Sequence, residues 1–273
     1  MNTFIMNYKI FFPLLLAGLC AAVSTLRAQD CASGFCPQNV VIHHVQGKYS
    51  AKTVDLTYNF VPKTGASGDS YCWLDRNIGA TSVAANYNAS YTTYGWYYPW
   101  FPQENMPPGY TNNGTTLILP AYDFDVISDD PQRTTDLSPD DNSDVCDAFF
   151  GGAVVPSNAE LADLVSKIAT SVTTSSKFQS VMRNMYFPAS GLTTATTAAS
   201  SMNILDCYAR STSVYMVRVW TRTAITFDTY TRGILPYLLN SSGTYYDRMS
   251  YVNTGGNSNY YYLRAPIRCI IKL

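Results

Sequence analysis

The residues able to do acid–base, nucleophilic or metal chemistry are few and unevenly placed. His43 and His44 are the only histidines. They sit side by side in a run of strand character, VVIHHV, where neighbouring side chains project to opposite faces. They therefore cannot both reach one metal ion or one reacting atom. The chain also contains neither an HExxH metal motif nor a GxSxG nucleophile elbow. The pair reads as a solvent-facing stretch of strand. Asp75-Arg76-Asn77 brings a carboxylate, a guanidinium and an amide together, which invites a catalytic reading. At the end of a strand the same triplet serves a turn, with Asp and Asn bonding backbone groups and Arg76 pairing locally. We take that structural reading.

Two further clusters suggest binding. Asp123, Asp125, Asp129, Asp130, Asp136, Asp140, Asp141, Asp144 and Asp147 fall in one short stretch. Ca²⁺ takes six to eight oxygen ligands, and Asp140, Asp141, Asn142 and Asp144 form the candidate set; Ca²⁺ is the one cofactor suggested. The complete EF-hand pattern is missing, including its final Glu, and a solvated acidic loop accounts for the same composition. Asp, Ser and Pro favour turns, so no helix is expected there. The second cluster is aromatic, with Trp96, Tyr97, Tyr98 and Trp100 as a candidate platform on which sugar rings would stack. Strand alternation would instead bury every second ring. Tyr260-Tyr261-Tyr262 poses the same choice.

These candidates sit in a chain with an export-type start. Lys9 precedes an apolar run, IFFPLLLAGLCAAV, followed by small residues, the pattern of a secretory signal over residues 1–28. The run is shorter than the roughly 20 apolar residues of a spanning helix and contains Pro13. Cleavage after Ala28 exposes Gln29, and Ala22-Val23-Ser24 also meets the small-residue rule. The remaining cysteines are Cys31, Cys36, Cys72, Cys146, Cys207 and Cys269. An even number in an exported chain reads as a disulfide framework, and no Cys/His spacing suggests zinc. Losing Lys9 and Arg27 leaves 16 basic against 19 acidic residues, a balance that disfavours nucleic acid and anionic membranes as partners. A glycan or a cell-surface protein fits better, and no second apolar run spans a bilayer.

The elements that would position these residues are mainly strands. Tyr, Thr and Ser are abundant while Glu104 and Glu160 are the only glutamates, a bias toward strand over surface helix. VVIHHV and KTVDLTYNF read as a strand pair in an N-terminal segment, 29–66, that joins a larger unit, 67–273. Further strands are expected in TLILPAY, SVYMVRVW, ITFDTY, YYYLRAP and IRCIIKL. Ser157-Asn158-Ala159-Glu160 is a capping box, after which Leu161, Leu164, Val165 and Ile168 recur on one helical face. A second helix fits Ser176 to Met185. Two helices among short strands make an α+β domain.

Several segments, in order, resemble the Fibrobacter succinogenes major paralogous domain family. Trp73-Leu74-Asp75-Arg76-Asn77-Ile78-Gly79-Ala80 resembles its WMDRNLGA element, and Gly95-Trp96-Tyr97-Tyr98-Pro99-Trp100 its GxYYQWG stretch. Asp144-Val145-Cys146 with Val155-Pro156-Ser157-Asn158-Ala159-Glu160-Leu161 resembles DPCPxGWRVPTxxEL. Phe187-Pro188-Ala189-Ser190-Gly191 is similar to the next PxxG element, and Ile267-Arg268-Cys269-Ile270 to the terminal VRCV. The chain departs at Gly152-Ala153-Val154, where the family has Gly-Trp-Arg, and at Cys207-Tyr208-Ala209-Arg210-Ser211, in place of YWSS. The resemblance implies a secreted or surface protein of Bacteroidetes-like bacteria with a C-type-lectin-like or formylglycine-generating-enzyme-like architecture. It also implies a Cys146–Cys269 bond, since both cysteines lie in shared elements. A local Cys31–Cys36 bridge then leaves Cys72–Cys207. The functional expectation is a non-catalytic binding or structural protein for adhesion, recognition or a surface appendage. The alternative is a secreted polysaccharide hydrolase working through paired carboxylates, whose separation a sequence does not reveal.

Overall fold

The computed structural model describes residues 35–100, 108–112, 116–119, 138, 142–170, 175–193, 201–205, 214–227, 230–241, 244–253 and 264–273. The signal expected over 1–28, Cys31, Cys207, Asp140, Asp141 and Tyr260-Tyr261-Tyr262 lie outside the described residues. In chain order the strands are β1 (Val40–His44), β2 (Val54–Tyr58), β3 (Phe60–Thr64), β4 (Ser70–Leu74), β5 (Tyr110–Thr111) and β6 (Thr116–Ile118). Three helices follow, α1 (Val145–Phe150), α2 (Asn158–Ile168) and α3 (Ser175–Met185). The chain then continues with β7 (Leu192–Thr193), β8 (Ser201–Leu205), β9 (Val214–Arg218), β10 (Ala224–Phe227), β11 (Tyr230–Ser241), β12 (Thr244–Asn253) and β13 (Ile270–Lys272).

The strands form small antiparallel sheets: β1-β2, β3-β4-β13, β5-β6-β8-β7, and β10-β11-β12 with β9 also on β11. The expected strand pair is present, with Val40 opposite Tyr58 and His44 opposite Val54. The PKTGASGDS stretch, rich in turn-forming residues, begins as β3, because Phe60–Thr64 pairs with Leu74–Ser70 before the turn. Pro62 is accommodated at the unpaired side of this outer strand.

β4 organises the interior. Four of its five residues are buried, and alternation divides them between two apolar clusters. Cys72 and Leu74 join Tyr58, Phe60, Phe150 and Trp220 on one side. Tyr71 and Trp73 join Leu161, Leu164, Phe178, Val181 and Met185 of α2 and α3 on the other. β13, paired to β4 in antiparallel register, splits likewise, Ile271 to the first cluster and Ile270 to the second. The terminal strand thus completes both cores.

The capping box at α2 is formed: Ser157 Oγ accepts from Glu160 N at 3.2 Å and Glu160 Oε2 accepts from Ser157 N at 2.7 Å. α1 corrects the expectation of no helix in the acidic stretch. Asp144, a turn former by type, is its N-cap and accepts from Cys146 N and Asp147 N; the same carboxylate chemistry that favours turns also starts helices.

Cys146 bonds Cys269, as the resemblance implied. The other expected pairings are corrected. Cys36 bonds Cys72, not Cys31, and Cys72 is therefore not joined to Cys207. The reason lies in β3. Phe60 N donates to Pro37 O at 2.8 Å, which lays the N-terminal segment along the sheet and brings Cys36 beside β4, with Cα atoms 5.3 Å apart.

Candidate functional site

The residues singled out by chemistry are mostly committed to structure. Arg76 grips Asp75 through two bonds, Nε to Oδ1 at 2.9 Å and Nη2 to Oδ2 at 3.0 Å. Asn77 is buried, donates to Tyr94 O and accepts from Arg268. The chain bends here after β4 and Arg76 pairs locally, as expected, but only the Asn77 side chain bonds backbone: the Asp75 carboxylate accepts from the Arg76 and Asn59 side chains. The histidines do face opposite ways, but only His43 meets solvent, beside Asp55. His44 is buried, against the expectation of a solvent-facing pair. β1 is covered on that face by Trp96 and Phe149, whose rings meet the imidazole edge-on at 4.7 and 4.5 Å. Ser50 Oγ and Tyr58 OH lie at 3.2 and 3.0 Å from its nitrogens. Burial, reinforced by His43, lowers its pKa to about 4.

The calcium set is not assembled by its described members. Asp144 is 1 % exposed, and its oxygens already accept from Cys146, Asp147 and Val155 backbone N–H groups. Burial pushes its pKa up to about 6 against those bonds. The buried carboxylate serves as a helix cap and holds Val155 N, turned away from solvent. Asn142 is exposed at φ 54°, and its carbonyl accepts from Lys48 Nζ at 3.1 Å and from Tyr49 OH. Among the described residues no three His, Cys, Asp or Glu side chains cluster as a metal site.

The aromatic platform is also corrected. Tyr97 and Tyr98 are fully buried, and Trp96 and Trp100 are only 3 % and 4 % exposed. The segment does not alternate as a free strand. Tyr97 bridges Gly109, and Tyr98 bridges Ala265, so both sides of the chain are covered. Tyr97 OH donates to Ser190 O at 2.6 Å, Tyr98 OH to Tyr49 O at 2.8 Å and Trp100 Nε1 to Thr221 O at 2.8 Å. These three rings are core.

Trp96 differs. Trp73, Trp100 and Trp220 each donate their indole N–H to a backbone carbonyl, whereas among the described residues Trp96 has no such acceptor. Its ring forms part of the lining of an open cleft of about 320 Å³, near the lower end of the roughly 300–1,000 Å³ of ligand pockets. β2 supplies one wall through Val54 and Leu56, the residues whose alternation turns them inward. Tyr91 and Thr92, from a 3₁₀ turn at Tyr91–Thr93, supply another, and Tyr110 and Thr111 of β5 a third. Lys52 stands at the rim with Nζ 3.6 Å from the centre of the Tyr110 ring, a cation–π contact.

Two glycines make this shape. Gly79 and Gly95 both line the cleft at φ +81° and +78°, a region that side chains with a Cβ avoid. A Cβ on Gly79 would lie 2.2 Å from the Trp96 indole, and one on Gly95 would lie 2.5 Å from Ile78 O. The Gly79 backbone is thus pressed onto the indole, and Trp96 N donates to Ile78 O at 2.8 Å to hold the register.

Sequence reasoning found Trp96 but missed Lys52, Tyr91 and Tyr110. Tyr91 was legible as the only one of the three carried near the aromatic stretch; it is 42 % exposed, unusual for so large a ring. Lys52 and Tyr110 come from distant segments and carried no local signal. No family model matches the chain, and no curated protein or solved structure is detectably similar to it.

Proposed function

We propose that the protein is an exported, non-catalytic recognition module that binds a glycan in the cleft between β2, the Tyr91 turn and β5. The observation that carries this reading is the composition of the cleft: the exposed Tyr91 ring and the half-buried Tyr110 ring beside threonine hydroxyls and an indole N–H that has no acceptor among the described residues. Sugar rings offer apolar C–H faces and a rim of hydroxyls, which such a surface matches. Export is supported by the leader-like start of the sequence and by Cys36–Cys72 and Cys146–Cys269, since disulfides persist in oxidising compartments. Among the described residues no helix is long and apolar enough to cross a membrane. The resemblance to the major paralogous domain family and its C-type-lectin-like architecture belongs to the same proposal.

The hydrolase alternative asks for two carboxyl groups flanking the bond to be cut. Among the described residues the cleft lining includes no Asp or Glu, so we favour binding. The test is a glycan array probed with the oxidised protein alongside Tyr91→Ala. Glycan capture lost in Tyr91→Ala, with unchanged melting, supports the reading. Capture unaffected by that change, or no capture at all, removes it.

A further inference from the structure

We infer that the cleft selects anionic sugars, with the Lys52 ammonium taking the ligand's carboxylate or sulfate; this rests on the glycan reading above. Among the described side chains the lining offers two donor-only groups and the hydroxyls of Thr81, Tyr91, Thr92, Tyr110 and Thr111, which can donate or accept, with no anionic acceptor. The donor-only groups are Lys52 Nζ and Trp96 Nε1. Among the described residues Lys52 is also the single charged member of the lining, in a chain that carries more acidic than basic residues overall. Its nearest carboxylate in sequence, Asp55, lies on the outward face of β2 beside His43. Among the described residues Lys52 therefore has an aromatic face as its partner and no counter-ion; an incoming anion supplies one.

The geometry adds an argument for a sugar rather than a free anion. The ammonium sits directly over the Tyr110 ring, which holds the flexible side chain at one edge of the cleft. Val54 and Leu56 leave an apolar surface next to it. A pyranose bearing a charged substituent can lay its C–H face on the apolar side while its acidic group reaches Lys52. A small inorganic anion would leave the apolar wall uncovered.

The experiment titrates full-length, oxidised protein with oligogalacturonate, with the same oligomer after carboxyl reduction, with a sulfated galactose oligomer and with poly-glutamate. The expected result is that the uronate or the sulfated oligomer binds about tenfold more tightly than the reduced one, the scale of one charge-assisted hydrogen bond. Lys52→Met, which keeps the apolar stem, should erase that preference, and Lys52→Arg should restore most of it. Which of the two anionic arms binds identifies the acidic group. Equal binding of charged and reduced oligomers, with loss in Tyr91→Ala, overturns the selectivity and leaves the glycan reading standing. Poly-glutamate binding in place of both sugars overturns the proposal in favour of an acidic peptide. Absence of binding by every probe, in a protein whose melting shows it folded, overturns both readings.

Discussion

Arg268 donates from Nε and Nη2 to one atom, Asn77 Oδ1, at 3.0 and 2.9 Å, joining residues 191 positions apart. The guanidinium is fully buried and also donates to Leu74 O, Met185 O and Tyr186 O. It lies against the faces of Trp73 and Phe187. Burial lowers its pKa to about 9, which still leaves it cationic at neutral pH. The carbonyls at the end of α3 meet that charge favourably. One side chain thus ties the turn after β4, the end of α3 and the last strand.

Asn77→Ala removes the acceptor of two charge-assisted bonds and should cost about 3 kcal/mol or more. The check is urea unfolding, with the midpoint lowered and the slope unchanged. A shift under about 1 kcal/mol would mean that water replaces the amide.

Non-reducing peptide mapping should join Cys36 to Cys72 and Cys146 to Cys269. The loops close 36 and 123 positions, so removing each bond by Cys→Ser pairs should cost about 4 and about 5 kcal/mol on the chain-entropy account. Any peptide joining Cys36 to Cys31 would contradict the packing of Pro37 on Phe60.

His44 gives an acid-side instability. Its ordinary pKa of 6.5 falls to about 4 in the fold, so between those values the unfolded chain binds more protons. Its stabilisation is complete above pH 6.5 and is lost as pH falls toward 4, by up to about 3 kcal/mol. Asp144 runs the other way. Raised from 3.8 to about 6, it contributes fully below pH 3.8 and loses that contribution as pH rises toward 6. His44→Gln isolates the first effect: the stability gap between wild type and variant should widen from pH 4 to pH 6.5. A constant gap in urea midpoints would show that the ring does not titrate there.

The two helix caps should behave as caps and nothing more. Ser157→Ala should cost about 1 kcal/mol. Asp144→Ala should cost about 2 kcal/mol, at the upper end for caps, because Val155 N loses its acceptor as well. Neither should alter glycan binding, measured on the same array.

Trp100 and Tyr91 should separate packing from recognition. Trp100→Ala opens a cavity in the core and removes the indole donor to Thr221 O, and should cost about 3–5 kcal/mol in thermal unfolding. Tyr91→Ala should leave melting nearly unchanged, as for most exposed positions, while weakening binding.

What the sequence determined by itself is local. The capping box and apolar spacing of α2, the alternation of β1 and β2, and the bend at Asp75-Arg76 depend on neighbours within a few residues, and those neighbours are written side by side. The opposite facing of His43 and His44 follows from the same short-range geometry. Which face is covered does not: Trp96 and Phe149 arrive from far along the chain to bury His44. The same holds for Cys36, whose partner depends on Pro37 docking against β3, and for Tyr97, Tyr98 and Trp100, which the sequence marks as aromatic but only packing makes core. The cleft is decided last of all. Lys52, Tyr91, Trp96 and Tyr110 share no spacing, and they meet because two positive-φ glycines and the tertiary placement of β2 and β5 as separate walls leave a space that no local pattern records.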